Sequence, residues 1–143
     1  MIPKLYSFWR SSAAFRVRIA LNLKGMDYEI IPVHLGKNGG EQTSDAYSNK
    51  NPNRLVPLYE SGEMKIHQSL AIIEYLDEVQ PEPALLPKSA MDRAWVRSIA
   101  MDIASDIHPL NNVRVLRYLI KKLGISNEGK DEWYAHWVKV GLT

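Results

Sequence analysis

The chain has no cysteine among its 143 residues. It therefore forms no disulfide, binds no metal through thiolates and contains no CxxC redox motif. It also has no thiol of its own that could act as a nucleophile. The absence of cysteine excludes the cysteine-based classes of enzyme, redox protein and zinc site.

Long apolar runs and a strong net charge are also missing. No apolar run is long enough to span a bilayer, and the N-terminus lacks the apolar core of a signal peptide. The net charge of +2 is too small to indicate nucleic acid or an anionic membrane as a partner. Hydrophobic residues make up 45% and charged residues 24%, as in ordinary globular proteins, so we expect a cytoplasmic location.

Patterns typical of metal sites and hydrolases are absent as well. The four histidines, at positions 34, 67, 108 and 136, are dispersed and lack the spacing of metal ligands. Serine, histidine and aspartate all occur, but no serine lies in a nucleophile elbow. We therefore expect no metal and no hydrolase activity.

The N-terminal part of the chain predicts a parallel β-α-β unit. Strands are predicted at Lys4–Phe8 and Tyr28–Val33. Between them lies a helix in which Phe15, Ile19 and Leu23 recur at four-residue spacing and form one face.

A polar loop with one short helix is predicted over Leu35–Asn53, and an antiparallel hairpin follows at Val56–Tyr59 and Met64–Ile66. The next helix, Leu70–Leu76, is apolar almost all round and is expected to be well buried. A β-α-β unit followed by a hairpin and a packing helix makes an α+β domain of roughly 80 residues.

The composition changes after this unit. Gln80–Pro87 contains three prolines and predicts a stiff linker. Ser89–Lys122 is predicted to be helical, with Ser89 and Asp92 as a capping pair and Pro109 as a point of division.

A break is expected over Gly124–Gly129, and a further helix over Asp131–Val140 with Trp133 and Trp137 on one face. We expect Trp133, Tyr134 and Trp137 to belong to the core rather than to a site.

Three local features favour ligand binding. Ser11 and Ser12 open a basic helix, whose free N–H groups and dipole attract anions; a serine there either caps the helix or contacts an anion. Gln68 and Ser69 open the apolar helix in the same way, as a simple cap or a carboxylate site. Pro57 begins a strand; a cis bond before it would free the Val56 backbone to pair with an extended peptide, whereas a trans bond would not.

Taken together, these features resemble the zeta class of the glutathione transferase superfamily, the maleylacetoacetate and maleylpyruvate isomerases. The motifs that carry the resemblance are Arg10–Leu21, Asn51–Pro52 with Val56–Pro57, His67–Leu76 and Asp106–Asn112. They cover essentially the whole chain, and their combination at this spacing is highly specific.

The resemblance implies a thioredoxin-like, glutathione-binding domain at residues 1–80 and a linker at 81–88. It implies that residues 89–143 are the first part of an all-α domain, truncated here because family chains continue further. It also implies a homodimer that uses glutathione, which would supply the thiol that the chain lacks.

The resemblance further assigns roles to individual residues. Ser11 is expected near the glutathione sulfur, Val56 beside the cysteinyl backbone and Gln42 near the glycyl end. We assign helix capping to Ser12. The glutathione-binding set is Ser11, Ser12, Ala13, Ala14, Phe15, Arg16, Gln42, Val56, Gln68, Ser69, His108, Asn112, Val113 and Arg114. The catalytic set is Ser11, Ser12 and Arg10; the class often has cysteine where this chain has Ala13.

The implied reaction is cis–trans isomerisation of maleylacetoacetate or maleylpyruvate by reversible thiolate addition. Arg10 and Arg114 would each meet one substrate carboxylate; the alternative for both is a solvated surface role. Two other functions remain open: a general transferase acting on α-halo acids or other electrophiles, and a non-catalytic glutathione-binding module.

Overall fold

The structure, a computed structural model, describes residues 2–143, with the backbone alone at Asn38. The chain forms two compact units; the first ends at Leu86 and the second begins at Pro87. The first unit contains β1 (Lys4–Ser7), α1 (Ser12–Leu23), β2 (Glu29–Pro32), α2 (Asp45–Ser48), β3 (Leu58–Ser61), β4 (Met64–His67) and α3 (Ser69–Val79). The second contains α4 (Ala90–Met101), α5 (Val113–Lys121) and α6 (Asn127–Gly141).

The four strands form one mixed sheet in the order β2-β1-β3-β4. Strand β1 is parallel to β2 and antiparallel to β3, and β3 is antiparallel to β4. This is the predicted β-α-β unit followed by a hairpin, and the thioredoxin-like fold is confirmed. Leu58 pairs with Tyr6 on one side and with His67 on the other.

Helix α1 buries a different face from the one that its spacing predicted. Phe15, Ile19 and Leu23 are 53%, 43% and 59% exposed, whereas Val17 and Leu21 are completely buried. The buried face also carries Ala14 and Ala20, small residues that let the helix approach the core closely. The four-residue spacing of Phe15, Ile19 and Leu23 therefore marks one face of the helix, but this face is the exposed one.

Helix α3 contains the predicted segment Leu70–Leu76 and extends to Val79, and its most buried residues lie on one side. Ile72 and Leu76 are completely buried in the core with Leu5 and Tyr59. Val79 is 51% exposed. One stripe of a helix lies against its neighbours, and the opposite stripe stays accessible even when it is apolar.

A fully buried lysine ties the proline-rich segment to the first unit. The Lys24 ammonium lies 2.5 Å from Asp77 Oδ1 and donates to the carbonyl oxygens of Gln80 at 2.7 Å and Pro83 at 2.6 Å. Asp77 also accepts from the Leu85 N–H at 2.8 Å. Burial would by itself raise the pKa of Asp77, but Lys24 and the Leu85 N–H together hold it below its ordinary value.

Helix α4 has the predicted cap: the Ser89 hydroxyl accepts from the Asp92 N–H at 3.1 Å and donates to its carboxylate at 2.6 Å. Around Pro109 the helix is divided, also as predicted. A π-helical segment, Asp102–Ile107, leads into a 3-10 turn, His108–Asn111. Proline has no N–H to continue the α-helical ladder.

Helix α6 begins at Asn127, four residues before the predicted start, so the predicted break is too long. The Ser126 hydroxyl accepts from the Gly129 N–H at 3.1 Å and caps the helix. A Cβ atom at position 129 would lie 2.9 Å from Ile125 Cγ2, so the glycine serves packing rather than a turn. Trp133 Nε1 donates to the Leu110 carbonyl at 3.0 Å. No helix between residues 2 and 143 is long and apolar enough to cross a membrane.

We predict that Lys24→Met lowers the free energy of unfolding by about 3–5 kcal/mol, because it leaves Asp77 largely buried without its partner. Urea unfolding at neutral pH measures the change. The lowered pKa of Asp77 makes the ion pair stabilising above the ordinary carboxyl pKa. That contribution is lost as the pH falls through the folded-state pKa, so the variant should lose less stability in acid than the parent chain.

Lys88→Met is the matched control, because Lys88 is exposed. It should change the unfolding free energy by no more than about 0.5 kcal/mol. Equal effects of the two substitutions would show that the Lys24 contacts do not stabilise the unit.

Candidate active site

Sheet pairing gathers three candidate segments at one end of the sheet. Strand β1 ends at Ser7, β3 begins at Leu58 and β4 ends at His67. Because Leu58 pairs with both Tyr6 and His67, the residues that follow β1, precede β3 and follow β4 emerge at the same end. We call this the site end of the sheet. It carries the turn before Ser11, the Val56–Pro57 bond and the start of α3 at Gln68–Ser69.

Ser11, not Ser12, caps α1. Its hydroxyl accepts from the Ala14 N–H at 3.2 Å, and its backbone is extended (φ −74°, ψ 113°), as an N-cap requires. Ser12 is already the first helical residue, so the capping role assigned to it is wrong. A hydroxyl that accepts through a lone pair still has its hydrogen to donate. Ser11 can therefore cap the helix and donate to a ligand at the same time.

Arg18, which the sequence did not single out, supports the turn before Ser11. Its Nη2 donates to the Trp9 carbonyl at 3.2 Å, and its guanidinium lies 5.1 Å from the centroid of the Phe15 ring. The Arg10 guanidinium lies 5.6 Å from the centroid of the exposed Trp9 ring. Both arginines thus have an aromatic neighbour next to the start of α1.

The Val56–Pro57 bond is cis, as the ligand-binding interpretation expected. The Val56 side chain is buried in a cluster with Tyr6, Tyr47 and Leu58. Among residues 2–143, no hydrogen-bond partner is described for its N–H or C=O. Both groups are therefore available to pair with an extended ligand.

The start of α3 is strained and tied to α1. Gln68 has φ 72°, a left-handed conformation that costs a non-glycine residue on the order of 1–3 kcal/mol. The buried Ser69 hydroxyl accepts from Arg16 Nη1 at 2.8 Å, so the Arg16 guanidinium links α1 to the start of α3. Burial lowers the pKa of Arg16, but a guanidinium stays protonated at neutral pH.

Gln42 carries an unsatisfied acceptor. It lies in a 3-10 turn, Glu41–Thr43, and its side chain is 8% exposed. Its Oε1 is buried without a hydrogen-bond partner among the described residues. Gly40 (φ 113°) makes room for it, because a Cβ atom there would lie 2.5 Å from Gln42 Nε2. A buried acceptor of this kind favours a ligand that brings a donor.

The second-unit residues of the predicted set lie together in sequence. Asn112 caps α5, its Oδ1 accepting from the Arg114 N–H at 3.1 Å. His108 begins the 3-10 turn, and Val113 is the first residue of α5. Their participation in a site with the first unit stays a prediction. Within the described part of the chain, no three of the residues histidine, aspartate and glutamate are grouped so as to hold a metal ion.

The fold is that of a thioredoxin-like domain, and the gathered segments form a candidate site at one end of its sheet. Residues 1–78 match the family model of the glutathione S-transferase N-terminal domain. The chain therefore belongs to the glutathione S-transferase family.

Relatives of known name agree with the resemblance. A probable maleylacetoacetate isomerase of Vibrio cholerae is 53% identical over 138 residues, which are 96% of this chain and 64% of that protein. A holo structure of a bacterial maleylpyruvate isomerase, a zeta-class glutathione S-transferase, matches with a TM-score of 0.92 and 48% identity. The match covers 96% of this chain and 64% of the maleylpyruvate isomerase chain. The chain thus spans about two thirds of the length of these relatives.

A third match has ligands. The maleylacetoacetate isomerase of Methylobacterium extorquens AM1, with bound malonate and glutathione, matches with a TM-score of 0.93 and 41% identity. The match covers 97% of this chain and 64% of the Methylobacterium extorquens chain. The similarity to this group of isomerases is confirmed.

We predict that Ser11→Ala lowers the free energy of unfolding by about 1 kcal/mol, because the Ala14 N–H loses its cap. Ser11→Gly should cost only a few tenths of a kcal/mol, since glycine is tolerated at an N-cap. Ser12→Ala is the comparison variant and should destabilise the chain less than Ser11→Ala, because Ser12 does not provide the N-cap. Urea unfolding of the three variants gives the comparison; a larger loss in Ser12→Ala than in Ser11→Ala would contradict the observed cap.

Proposed function

We propose that this chain binds glutathione at the site end of the sheet and catalyses glutathione-dependent cis–trans isomerisation of maleylacetoacetate or maleylpyruvate. The observation that carries the proposal is the Val56 backbone, whose N–H and C=O lack partners among the described residues. An extended peptide can satisfy both groups at once. The names of the matched isomerases supply the substrate class.

In this proposal, four groups of glutathione would each contact a complementary group of the first unit. Val56 would pair with the cysteinyl N–H and C=O, and the buried Oε1 of Gln42 would accept from the glycyl N–H. The γ-glutamyl carboxylate would lie at the start of α3, near Gln68 and Ser69, where helix N–H groups favour an anion. The cysteinyl thiol would lie beside Ser11. The unsatisfied buried acceptor of Gln42 and the unpaired backbone groups of Val56 favour this peptide as the ligand.

The chain's own contribution to the chemistry is charge stabilisation. Bound glutathione would supply a thiol whose reversible addition to the conjugated alkene permits rotation about the former double bond. A cysteine thiol ordinarily has a pKa near 8.5. The Ser11 O–H and the N-terminus of α1 both favour the thiolate over the thiol, which places more of it at neutral pH. Arg10, exposed at the turn, would clamp a substrate carboxylate or stabilise enolate charge.

The second-unit residues have a supporting role in this proposal. Arg114, one residue into α5, would meet the other carboxylate of the substrate. His108, Asn112 and Val113 would complete the glutathione cleft. We also propose that the protein is a cytoplasmic homodimer that acts in the catabolism of aromatic amino acids. These proposals rest on the resemblance. Sedimentation velocity of the chain tests whether it is a dimer.

The activity assay uses the 143-residue chain with glutathione and either maleylpyruvate or maleylacetoacetate. We expect the cis substrate to disappear while the concentration of free thiol stays constant, because isomerisation regenerates glutathione. Loss of one thiol per substrate would instead show a transferase. Glutathione binding by calorimetry without turnover would show a non-catalytic binding module, and no binding would overturn the proposal altogether.

Ser11→Gly separates thiolate activation from helix stability, because a glycine at the N-cap removes the hydroxyl at a cost of only a few tenths of a kcal/mol. We expect the pKa of bound glutathione, read from thiolate absorbance against pH, to rise in this variant. Turnover should fall by roughly 10²-fold, the scale of removing one activating donor. Ser12→Ala is the control and should keep the parent's thiolate titration. A Ser11→Gly variant with unchanged absorbance and turnover would remove Ser11 from the chemistry.

A further inference from the structure

The carbonyl oxygen of Leu55 receives two buried side-chain donors. The Tyr47 hydroxyl donates to it at 2.6 Å, and Asn51 Nδ2 donates at 2.9 Å. Tyr47 is 5% exposed and Asn51 only 2%. A buried asparagine and a buried tyrosine that meet at one backbone oxygen hold that oxygen from two directions.

This oxygen shares a peptide group with the Val56 N–H. In a trans peptide the C=O and N–H lie in one plane and point in opposite directions. Fixing the Leu55 oxygen therefore fixes the direction of the Val56 N–H, which points the opposite way within the same plane. On the other side of Val56, the ring of Pro57 restricts the backbone dihedrals of Val56.

We propose that Tyr47 and Asn51 are positioning residues, which aim the Val56 N–H at the cysteinyl carbonyl of bound glutathione. The inference deepens the proposed function and rests on it. Neither residue touches the ligand in this arrangement; both act through the peptide group between Leu55 and Val56.

Each of the two donors is itself held in place. The Tyr47 ring packs edge-on against Tyr6, with centroids 5.9 Å apart, and its N–H donates to the Ser44 hydroxyl, which caps α2. Asn51 Oδ1 accepts from the Asn53 N–H at 3.2 Å. Burial raises the pKa of Tyr47 to about 12, so its hydroxyl remains a donor across the physiological range. The pair is thus rigid enough to define a direction.

The test is a cycle between a variant and an altered ligand. Tyr47→Phe removes the hydroxyl and keeps the ring. The ligands are glutathione and its analogue with a thioamide in place of the cysteinyl C=O, a weaker acceptor for the Val56 N–H. In the parent chain we expect the analogue to bind roughly fivefold more weakly, the scale of one impaired hydrogen bond.

In Tyr47→Phe we expect glutathione to bind about fivefold more weakly, while the ratio between the two ligands falls towards one. Tyr6→Phe is the matched control, because Tyr6 lies in the same buried cluster as Tyr47. The Tyr6 hydroxyl donates to Glu60 at 3.4 Å and not to Leu55. This control should keep the parent's ratio. General destabilisation would weaken both ligands equally and leave the ratio unchanged.

Asn51→Ala is the second variant, for use if Tyr47→Phe does not fold. An alanine has no side-chain donor for the Leu55 oxygen. A ratio that stays at the parent's value in both folded variants would overturn the inference while leaving glutathione binding intact. Failure of the parent chain to bind glutathione would overturn the proposed function itself.

Discussion

The pairing of Leu58 with both Tyr6 and His67 is the constraint on which the candidate site depends. Side chains in a strand alternate between faces, so a slip of one residue in β3 would exchange the two buried clusters that receive Leu58 and Tyr59. Leu58 and Tyr59 are 1% and 2% exposed, which fixes the alignment through burial. With that alignment fixed, the ends of β1 and β4 and the beginning of β3 are held at one end of the sheet.

The first unit contains groups that the fold leaves unsatisfied or strained. Val56 has an unpaired backbone, Gln42 has a buried acceptor without a partner, and Gln68 has a left-handed conformation. The buried Gln42 acceptor and the Gln68 conformation cost stability in the free chain, and a bound peptide would compensate for the first of these. Arg18 Nε and Ser48 Oγ of the same unit are also buried without a hydrogen-bond partner among the described residues. The completely buried ammonium of Lys24, in contrast, has three oxygen partners.

Elements with strong local signals could be predicted from the sequence. The strands, the hairpin, the Ser89 cap and the division at Pro109 follow from alternation, turn residues and proline chemistry. The buried face of α1 could not, because Phe15 and Ile19 look more apolar than Ala14 and Val17, and close packing rather than hydrophobicity selected the face. The cap at Ser11 was missed because adjacent serines differ only in backbone conformation. Tyr47 and Arg18 gave no signal, since each contacts a carbonyl oxygen that a sequence does not locate.

The most direct test of the account is amide hydrogen exchange at Val56, measured by NMR with and without glutathione. In the free chain this N–H lacks a partner and should exchange readily, whereas the core amides of β1 and β3 should be protected. Saturating glutathione should slow exchange at Val56 by at least about tenfold, the scale of one new hydrogen bond. Unchanged exchange at Val56 in a chain that demonstrably binds glutathione would contradict the account, because the ligand would then be anchored elsewhere.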